Sequence, residues 1–147
     1  MTTRAEHQPD ASVASELARA LRAAAHEGLV SAYLFGSVAR GEAHRESDVD
    51  VGVLFDRGRQ PSKGDRFDAG VLLAGRLEGA LGRRVDLMVL NDAPPLLARE
   101  IVTRGERIVC TDPEGDHAFV RDAQLRAADL APFLARARRV KLSVLAE

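Results

Sequence analysis

Two kinds of hydrophobic periodicity alternate along the chain, and this alternation restricts the folds that it can adopt. Apolar residues recur at three- and four-residue steps over 12–27 and again over 65–81. Two short apolar runs, at 29–35 and 49–55, lie between these stretches. In the second run the side chains alternate between two faces, as they do in a strand. Helical periods that alternate with short strands indicate helices packed against a sheet. The predicted fold class is α/β, a small mixed β-sheet with helices packed on it.

Turn and cap residues place the later elements. Residues 84–90 and 107–111 are predicted to form the third and fourth strands, and Asn91 or Asp92 is expected to cap the helix between them. In the helix over 65–81, one stripe is predicted to face the core. It comprises Phe67, Val71, Ala74, Leu77 and Leu81.

The C-terminal part is predicted to be one further helical segment. Helical periodicity extends from His117 to about Glu147, with a kink expected near Pro132. We therefore divide the chain into a flexible N-terminus over 1–11, a central domain over 12–112 and a C-terminal helical extension over 113–147 that packs on the same domain.

Composition excludes several classes of protein. The 147 residues suit one domain, and 21 basic against 22 acidic residues give a net charge of −1. Without a basic surplus, and with one Tyr and five Phe, the chain is not expected to bind nucleic acid. No apolar run approaches the roughly 18 residues of a membrane span, and no secretory signal is evident. A cytoplasmic location without membrane association is expected.

The stretch 36–50 has the features of a phosphate and metal site. One predicted strand ends in Gly36-Ser37, and the next opens with Asp48-Val49-Asp50. Residues two apart in a strand point the same way, so the two carboxylates repel each other unless a cation lies between them. Mg²⁺ takes oxygens from one or two carboxylates and from substrate phosphates. Gly36 would let the backbone approach a phosphate, and Ser37 would offer its hydroxyl and N–H groups.

A third carboxylate extends this candidate site. Asp86 is the only acid within the apolar residues 84–90, where an unpaired acid is costly. If this strand lies beside the strand that carries Asp50, three carboxylates converge and could hold two metal ions. Taken singly, Asp48 could be a strand-end residue and Asp86 an edge acid that faces water. Their order and spacing together favour a site.

The same residues resemble a known superfamily. Gly-Ser, a spacer, Asp-x-Asp and a later Asp are similar to the pattern of the nucleotidyltransferases of the DNA polymerase β superfamily, most closely its minimal (MNT) members. The string Gly-Ser-x-Ala-Arg-Gly-Glu and the later Asn-Asp-Ala-Pro-Pro-Leu-Leu are typical of the minimal proteins. The resemblance covers about residues 12–112 and implies the polymerase β-like nucleotidyltransferase fold.

The resemblance also implies a reaction and site residues. It implies the Mg²⁺-dependent transfer of AMP from ATP to a hydroxyl, with two ions held by Asp48, Asp50 and Asp86. Asp86 would also help to deprotonate the nucleophile. Gly36 and Ser37 would hold the β- and γ-phosphates. Arg40 is assigned to the nucleotide as well, although a solvated loop arginine remains an equal alternative.

A partner follows from the same resemblance. The minimal members are similar to antitoxins of HEPN/MNT toxin–antitoxin pairs, which implies a nearby-encoded HEPN-type toxin, a ribonuclease that is silenced by AMP on a tyrosine. Two alternatives stay open: a non-catalytic antitoxin that neutralises its partner by contact, and a small-molecule nucleotidyltransferase. Residues 117–145 are apolar on more than one helix face and are predicted to dock a partner or a second copy. The opposing interpretation is that both halves fold onto the sheet around Pro132.

Overall fold

The computed structural model describes residues 11–23, 28–39, 41 and 48–146. The helices are α1 (Ala11–Ala23), α2 (Gly36–Ala39), α3 (Lys63–Leu81), α4 (Pro95–Arg104) and α5 (Pro113–Ala146). The strands are β1 (Leu29–Phe35), β2 (Val49–Phe55), β3 (Val85–Val89) and β4 (Glu106–Cys110), and a 3-10 turn, Leu90–Asp92, follows β3. The predicted N-terminus over 1–11 lies almost wholly outside the described residues.

The four strands form one mixed sheet in the order β3-β2-β1-β4. β1 is antiparallel to both β2 and β4, whereas β2 and β3 are parallel. Parallel neighbours need a long crossover connection, and α3 supplies it between β2 and β3. The predicted α/β fold class with a small mixed sheet is confirmed.

Helices cover both faces of the sheet. On one face, α1 and α3 pack Leu17, Leu21 and Leu77 against the valines of β2. On the other face, α4 contributes Ile101 to a second cluster. At Gly52 of β2 a Cβ atom would lie 3.0 Å from Leu90 Cδ2 and 3.1 Å from Ile101 Cγ2. The missing side chain therefore lets α4 and the 3-10 turn approach the sheet closely.

The predicted core stripe of α3 is partly wrong. Leu77 is buried, but Phe67 and Val71 are 66% and 58% exposed. The helix instead buries the face that carries Arg66, Gly70, Leu73 and Leu77. A Cβ at Gly70 would stand 3.1 Å from Val89 Cγ2, so this glycine allows close contact with β3. Apolar periodicity alone does not identify this face, because one of its residues is an arginine and another has no side chain.

The predicted caps of α4 are also wrong. The helix begins at Pro95 after Pro94, and no side chain bonds to its first turn. The Asn91 amide instead donates to the Phe55 carbonyl at 2.9 Å and accepts from the Phe55 N–H at 2.9 Å. Asp92 pairs with Arg66. Both side chains have tertiary partners, which a local cap pattern does not reveal.

A buried polar cluster fixes the start of α5, four residues earlier than predicted. Asp116 is 2% exposed. Its carboxylate accepts hydrogen bonds from Ser31 Oγ at 2.6 Å, from Tyr33 Oη at 2.7 Å and from Arg107 at 2.9 Å. The first turn of α5 is therefore bonded to both β1 and β4. Charge-assisted bonds of this kind are about twice as strong as neutral ones.

The side chains described in the second half of α5 are exposed. The helix continues without a break through Pro132. Ala123 and Ala127 are buried, whereas residues 128–137 and 139–140 are all exposed. As far as its side chains are described, at 128–137 and 139–140, the second half of α5 is not folded onto the sheet. No helix in the described part of the chain is both long and apolar enough to cross a membrane.

Candidate active site

The parallel pair β2 and β3 places two acids side by side. Asp50 and Asp86 are register partners in the ladder. Partners on adjacent strands project to the same face, at a strand spacing of about 4.8 Å. Asp50 is half-buried and Asp86 is exposed. The strand that carries Asp86 thus lies beside the strand that carries Asp50, as the convergence of the carboxylates requires.

Asp48 lies immediately before β2 and is exposed. The next residue, Val49, donates its N–H to the carbonyl of Arg84 at 2.9 Å. This bond ties the beginning of β2 to the segment that leads into β3. Asp48 therefore stands at the end of the sheet where Asp50 and Asp86 also lie.

Gly36 brings backbone against the Asp50 carboxylate. It has φ +76°, a left-handed conformation that glycine adopts without strain. Phe35, directly before it, pairs with Asp50 across β1 and β2. A Cβ atom at Gly36 would stand 3.0 Å from Asp50 Cγ, and still closer to Oδ2. Gly36, which is predicted to let the backbone approach a phosphate, therefore also leaves room for the Asp50 carboxylate.

Two predicted nucleotide-binding residues are described less fully. The backbone of Ser37 lies in the first turn of α2, directly after Gly36, and its side chain is not described. Arg40 lies outside the described residues. The predicted roles of both residues stay predictions.

The neighbouring carboxylates suit a hard divalent cation. Within 11–23, 28–39, 41 and 48–146, no group of three or more His, Cys, Asp or Glu side chains is arranged to hold a metal ion. Mg²⁺ requires fewer, because it is usually held by one or two carboxylates with substrate phosphates and water completing its shell. Asp50 and Asp86 supply two such oxygen donors on adjacent strands. The donor set therefore fits Mg²⁺ together with a bound nucleotide.

An apolar groove that the sequence patterns did not predict includes Asp86 in its lining. It has a volume of about 520 Å³ and lies between α3 and β3. Its walls include Phe67, Val71 and Ala74 from α3 and Leu87 from β3. Three of the residues predicted as a core stripe thus line a surface groove. The sequence shows these residues as an apolar stripe. Only the packing of α3 shows that part of the stripe lines a surface groove and not the core.

A paired arginine holds the far end of this region together. The guanidinium of Arg66, on α3, donates to both oxygens of Asp92 at 2.9 Å and to the Gln60 carbonyl at 3.0 Å. Hydrogen bonding from Arg66, together with its charge, lowers the pKa of Asp92 below the usual range of an aspartate. The pair links the start of α3 to the turn after β3.

The comparison with known families agrees with this geometry. A sequence model of the family described as "Polymerase beta, Nucleotidyltransferase" matches residues 21–114. The matched segment is more than half of the chain and contains Gly36, Asp48, Asp50 and Asp86. This chain belongs to the polymerase β nucleotidyltransferase family. The predicted polymerase β-like fold is thereby confirmed for this nucleotidyltransferase.

Individual relatives of the nucleotidyltransferase extend the comparison. It is 36% identical over 86 residues to the protein adenylyltransferase MntA of Shewanella oneidensis, a match over 57% of this chain and 56% of that protein. The chain thus spans little more than half the length of this relative. It is also similar, at 27% identity and a TM-score of 0.63, to a chain in a crystal structure of a toxin–antitoxin with AMP-PNP, covering 91% of this chain and 98% of that one. A mutant MntA toxin–antitoxin structure matches at 25% identity with a TM-score of 0.63, over 91% of this chain and 98% of that one.

Proposed function

We propose that this nucleotidyltransferase transfers AMP from ATP to a hydroxyl group of a HEPN toxin encoded nearby and so acts as its antitoxin in the cytoplasm. The acceptor hydroxyl is that of a tyrosine. One observation carries the proposal: Asp50 and Asp86 are neighbours on parallel strands, and the Asp50 carboxylate lies against the glycine of the Gly-Ser pair. Carboxylate oxygens that could bind a metal ion thus lie next to the segment suited to a phosphate, and this arrangement supports the proposal.

The residues divide into two groups by role. Asp48, Asp50 and Asp86 hold Mg²⁺, two ions in all, and the bound metal supplies charge neutralisation at the reacting phosphate. Gly36 and Ser37, at the start of α2, hold the β- and γ-phosphates through backbone N–H groups and the serine hydroxyl. Arg40, which follows α2, adds a cationic contact to the nucleotide.

The transfer itself needs one proton acceptor and one in-line displacement. The Asp86 carboxylate takes the proton of the acceptor hydroxyl. The oxygen forms a bond to the α-phosphorus of ATP, the bond from that phosphorus to the bridging oxygen of the β-phosphate breaks, and pyrophosphate leaves with the bond's electron pair. Asp86 suits the proton transfer because it is exposed and lies on an edge strand, where an incoming hydroxyl can reach it.

Relatives support the choice of nucleotide and of acceptor class. The curated relative is named a protein adenylyltransferase, which is consistent with AMP as the transferred group and a protein as the acceptor. A similar chain occurs in a toxin–antitoxin structure with AMP-PNP, an ATP analogue. Both relatives favour a protein acceptor over a small molecule.

The exposed half of α5 is suited to hold the partner. Leu130, Phe133, Leu134 and Val140 recur at helical spacing, and Phe133 is 62% exposed. Helix faces of this kind bind apolar faces of other helices. We assign this face to the toxin, in agreement with the docking segment predicted over 117–145, and regard the extension over 113–147 as part of the same domain that is anchored through Asp116.

The decisive experiment incubates the purified protein with α-labelled ATP, Mg²⁺ and the protein encoded by the neighbouring gene. Transfer of label to the neighbour, its loss when EDTA is added, and identification of the modified tyrosine by mass spectrometry are expected. If the neighbour is inhibited without acquiring label, the chain is a binding antitoxin and the enzymatic proposal is wrong. An Asp50→Asn variant is the matched control for contaminating transferases.

A further inference from the structure

Among the described residues, no strand pairs with the outer edge of β3, and this edge adjoins the groove whose lining includes Asp86. β3 is an edge strand of the sheet. The carbonyl of Arg84 accepts from Val49 of β2, so the peptide groups of Val85, Leu87 and Val89 turn to the open side. Val85, Leu87 and Val89 all line the groove, and of these three the N–H of Val85 is already bonded to the Glu78 carboxylate at 3.2 Å. The edge of β3 thus borders an apolar surface.

We propose that the acceptor is presented as an extended segment that adds to the edge of β3 as a further strand. This inference rests on the transfer function proposed above and specifies how the acceptor protein is recognised. Addition of a strand to an exposed sheet edge is a recurring mode of peptide recognition, in which backbone bonds give affinity and alternate side chains give specificity.

The geometry of a sheet then positions the hydroxyl. A residue paired with Asp86 would project to the same face as Asp86 and Asp50, at the strand spacing of about 4.8 Å. The acceptor hydroxyl would therefore lie next to Asp86, on the side away from Asp50. Its two neighbours in the segment would project to the opposite face, where Phe67 and Val71 of α3 line the groove.

The position of the groove favours the acceptor over the nucleotide as its occupant. Gly36 follows β1, and β1 lies on one side of β2. The groove lies on the other side of β2, between β3 and α3. A nucleotide held at Gly36 and an acceptor held along β3 would thus approach the Asp50–Asp86 pair from opposite directions, as an in-line displacement requires.

The lining of the groove specifies the chemistry of the segment. Phe67 and Val71 are 66% and 58% exposed and call for apolar residues on either side of the hydroxyl residue. Lys63 lines the end of the groove near Asp92, and the Asp92 carboxylate is already bonded to Arg66 at 2.9 Å. The Lys63 charge also acts on Asp92, but none of the salt bridges among the described residues involves its ammonium, which can therefore pair with an acidic residue of the segment. The occupant is a hydroxyl residue flanked by apolar residues, with an acid further along.

A binding test without nucleotide isolates this proposal from the transfer chemistry. The probe is the acetylated peptide Glu-Thr-Val-Tyr-Val-Thr-Glu, and its control replaces both valines with glycine. Hydrogen exchange at the Leu87 and Val89 amides should slow several-fold with the first peptide and less with the second. Unchanged exchange at both amides with the first peptide would overturn the proposal. Concentration-dependent protection without peptide would also overturn it, because the edge would then pair with a second copy.

A matched pair of variants tests the groove during transfer. Leu72 follows Val71 on α3, is similarly exposed at 53%, and does not line the groove. Val71→Asp should raise the KM for the acceptor protein by about tenfold or more, because an apolar contact is replaced by a charge, while Leu72→Asp should not. ATP affinity, measured by calorimetry, should be unchanged in both.

The outcomes separate this proposal from the one on which it rests. Equal KM values for the two variants would overturn the acceptor groove while leaving the transfer function intact. Weaker ATP binding by Val71→Asp would show that the groove holds the nucleotide, which also overturns it. If the wild-type protein transfers no label although the peptide protects Leu87 and Val89, the transfer function fails and the docking edge stands.

Discussion

The carboxylate of Asp50 lies where a side chain on Gly36 would have to be. A Cβ on Gly36 would stand 3.0 Å from Asp50 Cγ and nearer still to Oδ2, and Gly36 has φ +76°. Two requirements, a left-handed backbone and an unobstructed approach, therefore coincide at one residue. At Gly82 only the left-handed backbone applies: its φ is +63°, but no atom lies within 4 Å of the position that a Cβ would take.

Gly36→Ala should therefore cost more than Gly82→Ala. The backbone strain common to both is about 1–2 kcal/mol, and Gly36→Ala adds displacement of the Asp50 carboxylate. We expect Gly36→Ala to lower the free energy of unfolding further than Gly82→Ala and to abolish ATP binding, which Gly82→Ala leaves intact. Urea titration and calorimetry measure the two effects. Equal losses in both variants, with ATP binding retained, would contradict the assigned contact.

Replacing the carboxylates should separate chemistry from folding. Asp48→Asn and Asp50→Asn are expected to lower AMP transfer at least about a hundredfold, since charge neutralisation at a reacting phosphate is worth several kcal/mol. The fold should persist, because removing one of two neighbouring negative charges relieves repulsion. Transfer rates and melting temperatures measure this. Asp68→Asn, at an exposed position of α3 outside the groove lining, is the control.

Asp86→Asn should behave differently from Asp50→Asn. We expect a similar fall in transfer rate with a smaller loss of ATP affinity, because Asp86 acts at the acceptor hydroxyl on the edge strand. Calorimetry with ATP and Mg²⁺, set beside single-turnover rates, distinguishes the two. The assignment is wrong if Asp86→Asn loses ATP binding and retains normal chemistry once saturated.

The Arg66–Asp92 pair should make stability depend on acid pH. The folded protein holds the pKa of Asp92 below its ordinary value, so the pair contributes stability above about pH 4 that is lost as the pH falls through the lowered pKa. Asp92→Asn should cost about 2 kcal/mol at neutral pH, because Arg66 is buried and loses its charged partner. Urea unfolding at a series of pH values tests this. The difference in free energy of unfolding between the wild type and Asp92→Asn should shrink below about pH 4. A difference that stays constant with pH would argue against a lowered pKa of Asp92.

Tyr33 should remain un-ionised until the protein unfolds in alkali. It is the only tyrosine, and burial together with its hydrogen bond to Asp116 raises its pKa well above that of a free tyrosine. A raised pKa contributes stability below about pH 10 that is lost as the pH rises towards the folded value. Tyrosinate absorbance should therefore appear together with the loss of helical circular dichroism. Ionisation at about pH 10 with the fold intact would contradict the buried bond. Tyr33→Phe should flatten the alkaline loss of stability.

The exposed half of α5 should matter for partner binding more than for stability. Residues 128–137 and 139–140 are all exposed, so truncation before Pro132 should change the free energy of unfolding little. Binding to the neighbouring gene product, measured by calorimetry, should be lost. A milder form is Phe133→Ser, with Arg139→Ser, which lies on the side of the helix away from Leu130 and Phe133, as control. Normal binding and modification by the truncated protein would mean that the segment does not dock the partner.

Much of the fold follows from local sequence, and so does the candidate site. β1 and β2 have the predicted bounds, 29–35 and 49–55, because strand periodicity and the flanking glycine and aspartates are local signals. The pairing of Asp50 with Asp86 was stated as a condition, and adjacent parallel strands fulfil it. The binding and catalytic roles of all six residues stay predictions: Gly36, Ser37, Arg40, Asp48, Asp50 and Asp86.

Interactions between distant residues decided what the sequence left open. Asn91 and Asp92 carried the pattern of a cap, yet Phe55 and Arg66, 36 and 26 residues away, bind them instead. The order of residues along the chain determined the alternation of helices and strands, the Gly-Ser pair and the spacing of the acids, because these depend on backbone preference and side-chain period. Only the tertiary structure decided which apolar stripe of α3 is buried and that Phe67 and Val71 line a groove, because burial depends on which surface of a neighbouring element each face meets.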